Sequence, residues 1–448
     1  MAAVVTSRVR FARALQSRPF ALLWSGQTIS ALGDGAYTRA LAWQALLLTH
    51  SSAALAAIVT ATIVPRLIFL LIGGLVADRL PRRMVLFCAD AGRALAVGAI
   101  AALSWSNSLA LWHLVALGAV FGVAGAFFLP AYRAMPPLVT PREALPSANA
   151  LVELSGQLGL LVGPLLGAAL VAVTGPAAAF AFACASFLIP AVSLLAIRMP
   201  HHTEIASPSA LETTGDPETT GNTADETDDP KEGLVSSQQK PGGIRQAGTE
   251  LREAAVFILG STWLLTTIVI PAFGNAAFGG AMLVTLPKLI SDVYGAGVWL
   301  LGAVIACVAF GRIGAAFLVG HLRLRRRGII AFGADVVASL ALLSLALPFP
   351  WGYRAPVSLL AGAIYGLGGG TFQTIWVTLL HELTPNKILG RVASIDLLGS
   401  FCLQPLGFLV AGLVADSLGP AWVFLGAGAI NLALYTFPLF LRGIREVE

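Results

Sequence analysis

Apolar residues form long, nearly unbroken stretches along this chain, separated by short polar segments. A helix needs about 20 mostly apolar residues to cross the hydrocarbon core of a bilayer, and these stretches reach or exceed that length. Several contain internal Gly or Pro, which membrane-spanning helices tolerate. We therefore predict an all-α membrane protein with twelve spans, at residues 20–48, 53–77, 84–105, 109–131, 147–173, 177–199, 254–287, 296–320, 328–349, 355–380, 391–415 and 420–441.

Basic residues are distributed unevenly among the connecting segments. Most of the 28 Lys and Arg residues fall in the N-terminal segment and in every second loop after it. Because short cytoplasmic loops are enriched in Lys and Arg, both termini are predicted to be cytoplasmic. Only 11% of the residues are charged and the mean hydropathy is +0.81, whereas soluble domains contain about 25% charged residues. The net charge of +5 therefore reflects topology, and no nucleic-acid partner is expected.

Residues 200–250 differ from the rest of the chain because they are rich in Thr, Glu, Asp, Pro and Ser. Such a composition cannot bury enough apolar surface to fold. We predict a disordered acidic cytoplasmic linker there, between a six-helix N-terminal half at 1–199 and a six-helix C-terminal half at 251–448. The halves also resemble each other in sequence, since FGVAGAFF…LVTP in the first corresponds to YGLGGGTF…ELTP in the second. Two repeated halves with a site between them are typical of transporters.

Two motifs narrow this interpretation. GLVADRLPRR, at residues 74–83, fits the pattern G-x3-D-[RK]-x-G-[RK]-[RK], except that Pro81 replaces the usual Gly. GLLVGPLLG, at residues 159–167 in the fifth span, matches G-x3-G-P-x2-G. Both resemble signature motifs of the major facilitator superfamily. The stretches LLWSGQTISALGDG and GRVASIDLL are similar to its bacterial branch of enterobactin-type siderophore exporters and macrolide-efflux-like proteins.

The resemblance implies roles for both motifs. The first would form a cytoplasmic gate in which Asp78 meets the start of the eleventh span. Asp90 and Arg93 lie one to two turns beyond this loop and are assigned to the same gate, with the central pocket as the alternative. The predicted gate residues are Gly74, Asp78, Arg79, Arg82, Arg83, Asp90, Arg93 and Arg391. The second motif is typical of exporters.

The second motif also has a structural interpretation that holds whatever the function. Its glycines Gly159, Gly163 and Gly167 share one helical face and let a neighbouring backbone approach closely. Pro164 bends the helix. A packing groove on the fifth span is therefore expected in any case.

Charges inside the spans are the candidates for coupling. Asp34 lies past the middle of the first span, on a polar stripe that includes Gln27, Ser30 and Thr38. Ionisable residues are costly inside a membrane and mark functional sites or ion pairs. We predict that Asp34 exchanges protons, and the alternative is a structural ion pair with an Arg on another helix, for which Arg66 is a candidate.

Two further carboxylates, Glu153 and Asp396, occupy equivalent positions in the halves. They are a second candidate proton site or a pair of gate residues. The roles of Arg39, Arg66 and Arg312 stay open. The predicted substrate pocket consists of Gln27, Tyr37, Thr38, Arg39, Asn275, Phe372, Gln373 and Trp376.

These features predict a secondary-active exporter. No GxxxxGK[ST] pattern is present, so an ion gradient is the expected energy source. We expect no enzymatic activity, no cofactor and no metal. The predicted protein is a monomer in the bacterial inner membrane that exchanges protons for an amphipathic or hydrophobic small molecule of drug or siderophore type. An importer or a lipid flippase on the same fold is the alternative.

Overall fold

The structure is a computed structural model that describes residues 13–196, 244–322, 324–385 and 388–445. The predicted linker residues 200–243 lie outside the described residues. The described chain is helical and contains no β-strand in those ranges. Its long helices are α1 (Arg18–Thr49), α2 (Ser52–Arg79), α3 (Arg82–Trp105), α4 (Leu111–Arg133), α5 (Leu145–Thr174), α6 (Pro176–Ala196), α7 (Ile244–Gly260), α8 (Thr262–Gly279), α9 (Val298–His321), α10 (Arg327–Ser344), α11 (Trp351–Leu383), α12 (Leu389–Phe401), α13 (Gln404–Ser417) and α14 (Pro420–Thr436).

The predicted all-α membrane fold is confirmed, with one difference in the number of spans. Within the described residues, eleven helical segments are long and apolar enough to cross a membrane. These eleven exclude α1, because the polar stripe of this helix lowers its mean hydropathy. Helix α1 is nevertheless 32 residues long and packs against α5 and α6. It therefore occupies the position of the first predicted span.

The predicted seventh span at 254–287 is displaced in the structure. Helix α7 ends at Gly260, and the spanning segment runs from Thr262 to Val293, with two π-helical turns beyond α8. The end of α7 reads AAVFILG. This apolar end directly precedes α8, so the two helices look like one apolar run in sequence. Helix α7 also begins at Ile244, inside the predicted linker.

The same helix pairings occur in both halves. In the first half, α1 packs against α5, α2 against α4, and α3 against α6. In the second half, α8 packs against α12 and α13, α9 against α11, and α10 against α14. This correspondence is the structural form of the sequence repeat.

The halves approach each other closely at one end of the bundle. We call it the distal end, where α1 ends at Thr49 and α2 begins at Ser52. A Cβ on Gly412 of α13 would lie 2.8 Å from the Cα of Ala53, and one on Gly302 of α9 would lie 2.5 Å from the Cβ of Ala168. All four residues lie near the distal ends of their helices, so this packing joins the halves away from the chain termini.

Candidate functional site

An ion cluster connects α1 and α3 inside the first half, and consists of Gln27, Asp34, Asp90 and Arg93. Arg93 forms an ion pair with Asp34 through Nη2, and its Nη1 lies 3.2 Å from Oδ1 of Asp90. Gln27 donates a hydrogen bond of 2.9 Å from Nε2 to Oδ2 of Asp90. The side chains of Asp90 and Arg93 are 0% and 3% exposed. Two carboxylates therefore share one buried guanidinium.

Three aromatic rings surround that guanidinium. Its carbon Cζ lies 5.2 Å from the ring centroid of Phe121, 4.8 Å from that of Phe128 and 4.2 Å from that of Phe187. Ring faces attract cations, more strongly where water is excluded. The rings come from α4 and α6, so four helices hold the charge of Arg93 in place.

The structure places Asp90 and Arg93 with Asp34 rather than with the loop residues to which the sequence assigned them. Asp90 is eight residues into α3 from Arg82, and at 1.5 Å per residue this is roughly 12 Å along the helix. That rise brings both side chains level with the polar stripe of α1. Arg93 is thus the ion-pair partner of Asp34 from another helix. Arg66 of α2 also interacts electrostatically with Asp34.

Asp34 itself lies at the middle of α1, whereas the sequence analysis predicted a position past the middle of the span. It is midway between Arg18 and Thr49. Its side chain remains 43% exposed although its partner Arg93 is buried. Its charged neighbours Arg66 and Arg93 belong to α2 and α3. The carboxylate is therefore accessible to protons or ligands while paired.

A central cavity of about 220 Å³ lies between the halves, lined by α1, α5, α9, α8 and the turn that follows α8. Its walls are mostly apolar. The polar side chains that line it are Arg39, Gln157 and Arg312. Of the predicted pocket residues, Arg39 is the one that lines this cavity. Arg39 is only 7% exposed, and its Nε and Nη1 have no hydrogen-bond partner among the described residues.

The second half contains a charged group that the sequence analysis missed. Asp335 of α10 is 8% exposed and interacts electrostatically with Arg312 of α9 and with Tyr365 of α11. The available signal was a carboxylate in the middle of an apolar span, the same signal that identified Asp34. Each half thus contains a buried carboxylate that interacts with an arginine.

Glu153 and Asp396 lie outside both charged groups. Glu153 is exposed on α5, and its Oε1 accepts a hydrogen bond of 2.8 Å from Gln157. Asp396 of α12 accepts a bond of 3.2 Å from Nε1 of Trp376. Gln157 lines the central cavity, so Glu153 is one hydrogen bond away from it.

The other predicted pocket residues of α1 have structural partners. Gln27 belongs to the ion cluster. Tyr37 is buried and its ring packs 4.5 Å from that of Phe121. Thr38 donates a hydrogen bond of 2.8 Å to the backbone oxygen of Asp34. These contacts therefore stabilise the middle of α1.

The predicted pocket residues of the second half also lie away from the cavity lining. Asn275 of α8 donates a hydrogen bond of 3.1 Å to the backbone oxygen of Ser400 on α12. Phe372 and Trp376 are buried in the core of the second half, and Gln373 is exposed. Aromatic spacing on α11 therefore reflects packing.

The loop residues predicted to form the gate have several described partners. Arg82 donates to the backbone oxygen of Ala134 at 3.1 Å, and Arg83 donates to that of Leu195 at 2.7 Å. Arg391 forms an ion pair of 3.9 Å with Glu253 of α7. Arg79 is exposed. The surroundings of Gly74 and Asp78 lie outside what the structure describes.

A distal latch, which consists of Asp416 and the start of α2, connects the halves. Asp416 of α13 accepts hydrogen bonds from the backbone nitrogens of Ser52 and Ala53, both at 2.9 Å, and from the Ser51 hydroxyl at 2.5 Å. Lys288 lies 2.5 Å from the same carboxylate. A carboxylate at a helix N-terminus satisfies free N–H groups and the helix dipole. Asp416 thus closes the distal end electrostatically.

The glycine motif of α5 forms a groove for α1. A Cβ on Gly163 would lie 2.8 Å from the Cα of Gly35, and one on Gly167 would lie 2.6 Å from the Cα of Ala36. Gly159 faces Ala31 in the same way. On another side of α5, the carbonyl of Pro164 approaches Gly302 of α9. The motif therefore packs against both halves.

Comparisons with known proteins show which family the sequence matches. The sequence profile described as Major Facilitator Superfamily matches residues 23–395. The chain is 26% identical over 445 residues to the multidrug efflux pump Tap of Mycobacterium tuberculosis (strain H37Rv), covering 96% of this chain and 95% of that protein. It is 20% identical over 433 residues to macrolide efflux protein A of Streptococcus pyogenes, covering 96% and 97%.

Solved structures share the fold. A bacterial homologue of the iron transporter ferroportin, crystallised in an inward-facing state, superposes with a TM-score of 0.66 at 14% identity, covering 95% of this chain and 99% of that one. A D-xylose–proton symporter gives a TM-score of 0.64 at 15% identity, covering 94% and 97%. At such identities the similarity concerns the fold alone.

Proposed function

This chain belongs to the Major Facilitator Superfamily, and from that premise we propose that it exports an amphipathic or hydrophobic small molecule in exchange for protons. The relatives named as efflux proteins align over almost its whole length, which supports export of drug-like compounds. The exporter-type motif in α5 supports the same direction. The proposed location is the bacterial plasma membrane, with both termini cytoplasmic and the protein acting as a monomer.

The ion cluster carries the proposal of proton coupling. Two carboxylates contact one guanidinium, so the contacting groups hold one more negative charge than positive. Charge is expensive away from water. Protonation of one carboxylate would leave Arg93 paired with the other, and Arg66 is a further positive charge that interacts with Asp34. Asp34 is the carboxylate with accessible surface, so it is the proposed proton-exchanging group. Glu153 and Asp396 are the proposed secondary sites, for protons or for gating.

The proposed transport cycle is one of alternating access, in which the protein opens to one side of the membrane at a time. With cytoplasmic termini, the distal latch lies on the outer side, so this conformation is closed outward. The central cavity would then receive substrate from the cytoplasm. Binding of substrate and release of a proton from Asp34 would shift the population toward the outward-open state. The loop residues around Asp78 and Arg391 would close the cytoplasmic side in that state.

The carboxylate variant Asp34→Asn tests the coupling. In proteoliposomes with an imposed pH gradient, the wild type should accumulate labelled amphipathic drugs in the acidic lumen. Asp34→Asn should lose this gradient-driven accumulation, because the amide cannot exchange a proton, while it still exchanges labelled for unlabelled drug without a gradient. Glu143→Gln is the matched control, since Glu143 is an exposed acidic residue outside the spans. Gradient-driven transport unchanged in Asp34→Asn would remove Asp34 from the mechanism.

The direction of movement separates the alternatives. An antiporter moves substrate against the proton flow, whereas a proton-coupled importer would accumulate it in an alkaline lumen. A flippase would instead move labelled phospholipid between leaflets. Protein-free liposomes correct for passive uptake in each case.

A further inference from the structure

Arg39 is a buried cation without a partner among the described residues. It is more than nine-tenths buried, and two of its guanidinium nitrogens have no acceptor. An unpaired charge inside a protein is unfavourable, and a guanidinium has five N–H donors and no acceptor. The other intramembrane arginine of the first half with comparable burial, Arg93, contacts two carboxylates. Arg39 therefore lacks the carboxylate partners that Arg93 has among the described residues.

The cavity beside Arg39 has the chemistry of a binding site with one charged position. Its lining is apolar, with side chains such as Leu160, Met282 and Ile305. Arg312 also lines it, but this charge interacts with Asp335. Gln157 is hydrogen-bonded to Glu153, whose carboxylate is exposed. Among the described residues, no carboxylate is paired with Arg39, whereas Arg312 interacts with Asp335.

We propose that this cavity binds amphipathic organic anions, with Arg39 pairing with the anionic group and the apolar walls holding the rest of the molecule. This inference rests on the proposed function and names its substrate class. An entering carboxylate, sulfonate or phosphate would give the guanidinium its missing acceptors, and charge-assisted hydrogen bonds are the strong ones. Pockets of this kind take affinity from apolar contact and orientation from a few polar groups.

Binding of three ligands with one aromatic body tests the proposal. The full-length protein is placed in phosphatidylcholine nanodiscs and dialysed against radiolabelled 1-naphthylacetate, its neutral amide, and the matching naphthylmethyl-trimethylammonium cation. Wild type should bind the anion at least tenfold more tightly than the amide or the cation. Equal binding of the three ligands would overturn the proposal.

Variants of Arg39 test whether this side chain binds the anionic group. Arg39→Gln should weaken binding of 1-naphthylacetate at least tenfold and leave binding of the amide unchanged, and Arg39→Lys should restore most of the affinity. Arg442→Gln, at an exposed arginine outside the cavity, should bind like wild type. Thermal unfolding checks the fold, and Arg39→Gln should not unfold earlier because it removes an unpaired charge. Unchanged anion binding in Arg39→Gln would contradict the proposal.

An experiment with an anionic lipid determines whether the bound anion is a lipid headgroup or a soluble acid. If phosphatidylglycerol in the nanodiscs displaces 1-naphthylacetate from wild type, and native mass spectrometry shows that Arg39→Gln loses retained phosphatidylglycerol, the anion site is occupied by lipid. Displacement by free acids alone assigns it to soluble anions. Drug accumulation is measured on the same preparations. Drug transport without anion preference would overturn this inference and leave the proposed function standing, whereas loss of drug transport in wild type would overturn the function.

Discussion

Arg93 is the positive charge that contacts both Asp34 and Asp90, and its removal should be costly. Arg93→Gln leaves the fully buried Asp90 without a contacting cation. Removing one partner of a buried ion pair typically costs about 3–5 kcal/mol. We expect Arg93→Gln to lower the free energy of unfolding by that order and to lower the unfolding temperature, followed by intrinsic tryptophan fluorescence.

The double variant Asp90→Asn/Arg93→Gln separates charge from packing. Replacing both charges by amides removes the uncompensated carboxylate, so the double variant should be more stable than Arg93→Gln alone. Arg93→Lys should be intermediate, since lysine keeps the charge but lacks the planar fork that contacts two carboxylates. Losses that simply add in the double variant would mean that the two side chains act independently.

The sequence identified Asp34 but not its surroundings. The polar stripe on α1 is visible at helical spacing, and a carboxylate in an apolar run stands out. The partner Arg93 is 59 residues away along the chain, and Phe121, Phe128 and Phe187 look like ordinary apolar residues. Which of several intramembrane arginines meets Asp34 depends on helix packing, which local patterns do not contain. Asp335 was missed although it shows the same signal as Asp34.

At the scale of elements, the α5 glycines set the distance between α1 and α5. Gly163→Ala would put a Cβ within 2.8 Å of the backbone of α1, and overpacking of a tight interface typically costs about 1–3 kcal/mol. We expect Gly163→Ala to lower the unfolding temperature and the transport rate. Gly156→Ala is the matched control on the same helix, because a Cβ there meets nothing within 4 Å. Equal effects of the two substitutions would mean that close approach of α1 at Gly163 does not explain the result, since the gain in helix propensity from Gly to Ala is stabilising at both positions.

Span boundaries were predictable where polar loops bracket apolar runs, as at Arg82 and Arg327. They were not predictable between α7 and α8. The apolar end of an amphipathic helix and the start of a spanning helix have the same composition. Beside the break at Ser261, α7 packs against α12 and its Glu253 pairs with Arg391, and local composition does not show these contacts.

For the whole molecule, the two halves are held together distally by one carboxylate and by close glycine packing. The sequence repeat predicted two halves and a site between them, but not which end is closed. That choice depends on Asp416, whose position near the end of a span gave no sign that it would cap the first turn of α2. The balance between the two access states is therefore expected to depend on a small number of distal contacts.

Asp416→Asn should shift this balance toward the distally open state. The amide loses the charge that pairs with Lys288 and the full acceptor capacity at the start of α2, and each 1.4 kcal/mol lost changes the population ratio about tenfold. Spin labels at Trp105 and Tyr353, exposed distal residues of opposite halves, report the separation by pulsed electron paramagnetic resonance after the native cysteines are replaced. A longer-distance population should grow in Asp416→Asn. Asp292→Asn is the control, because the described hydrogen bond of Asp292 is to its neighbour Ser291 in the same half. An unchanged distance distribution in Asp416→Asn would show that packing between the halves keeps the distal end closed without this carboxylate.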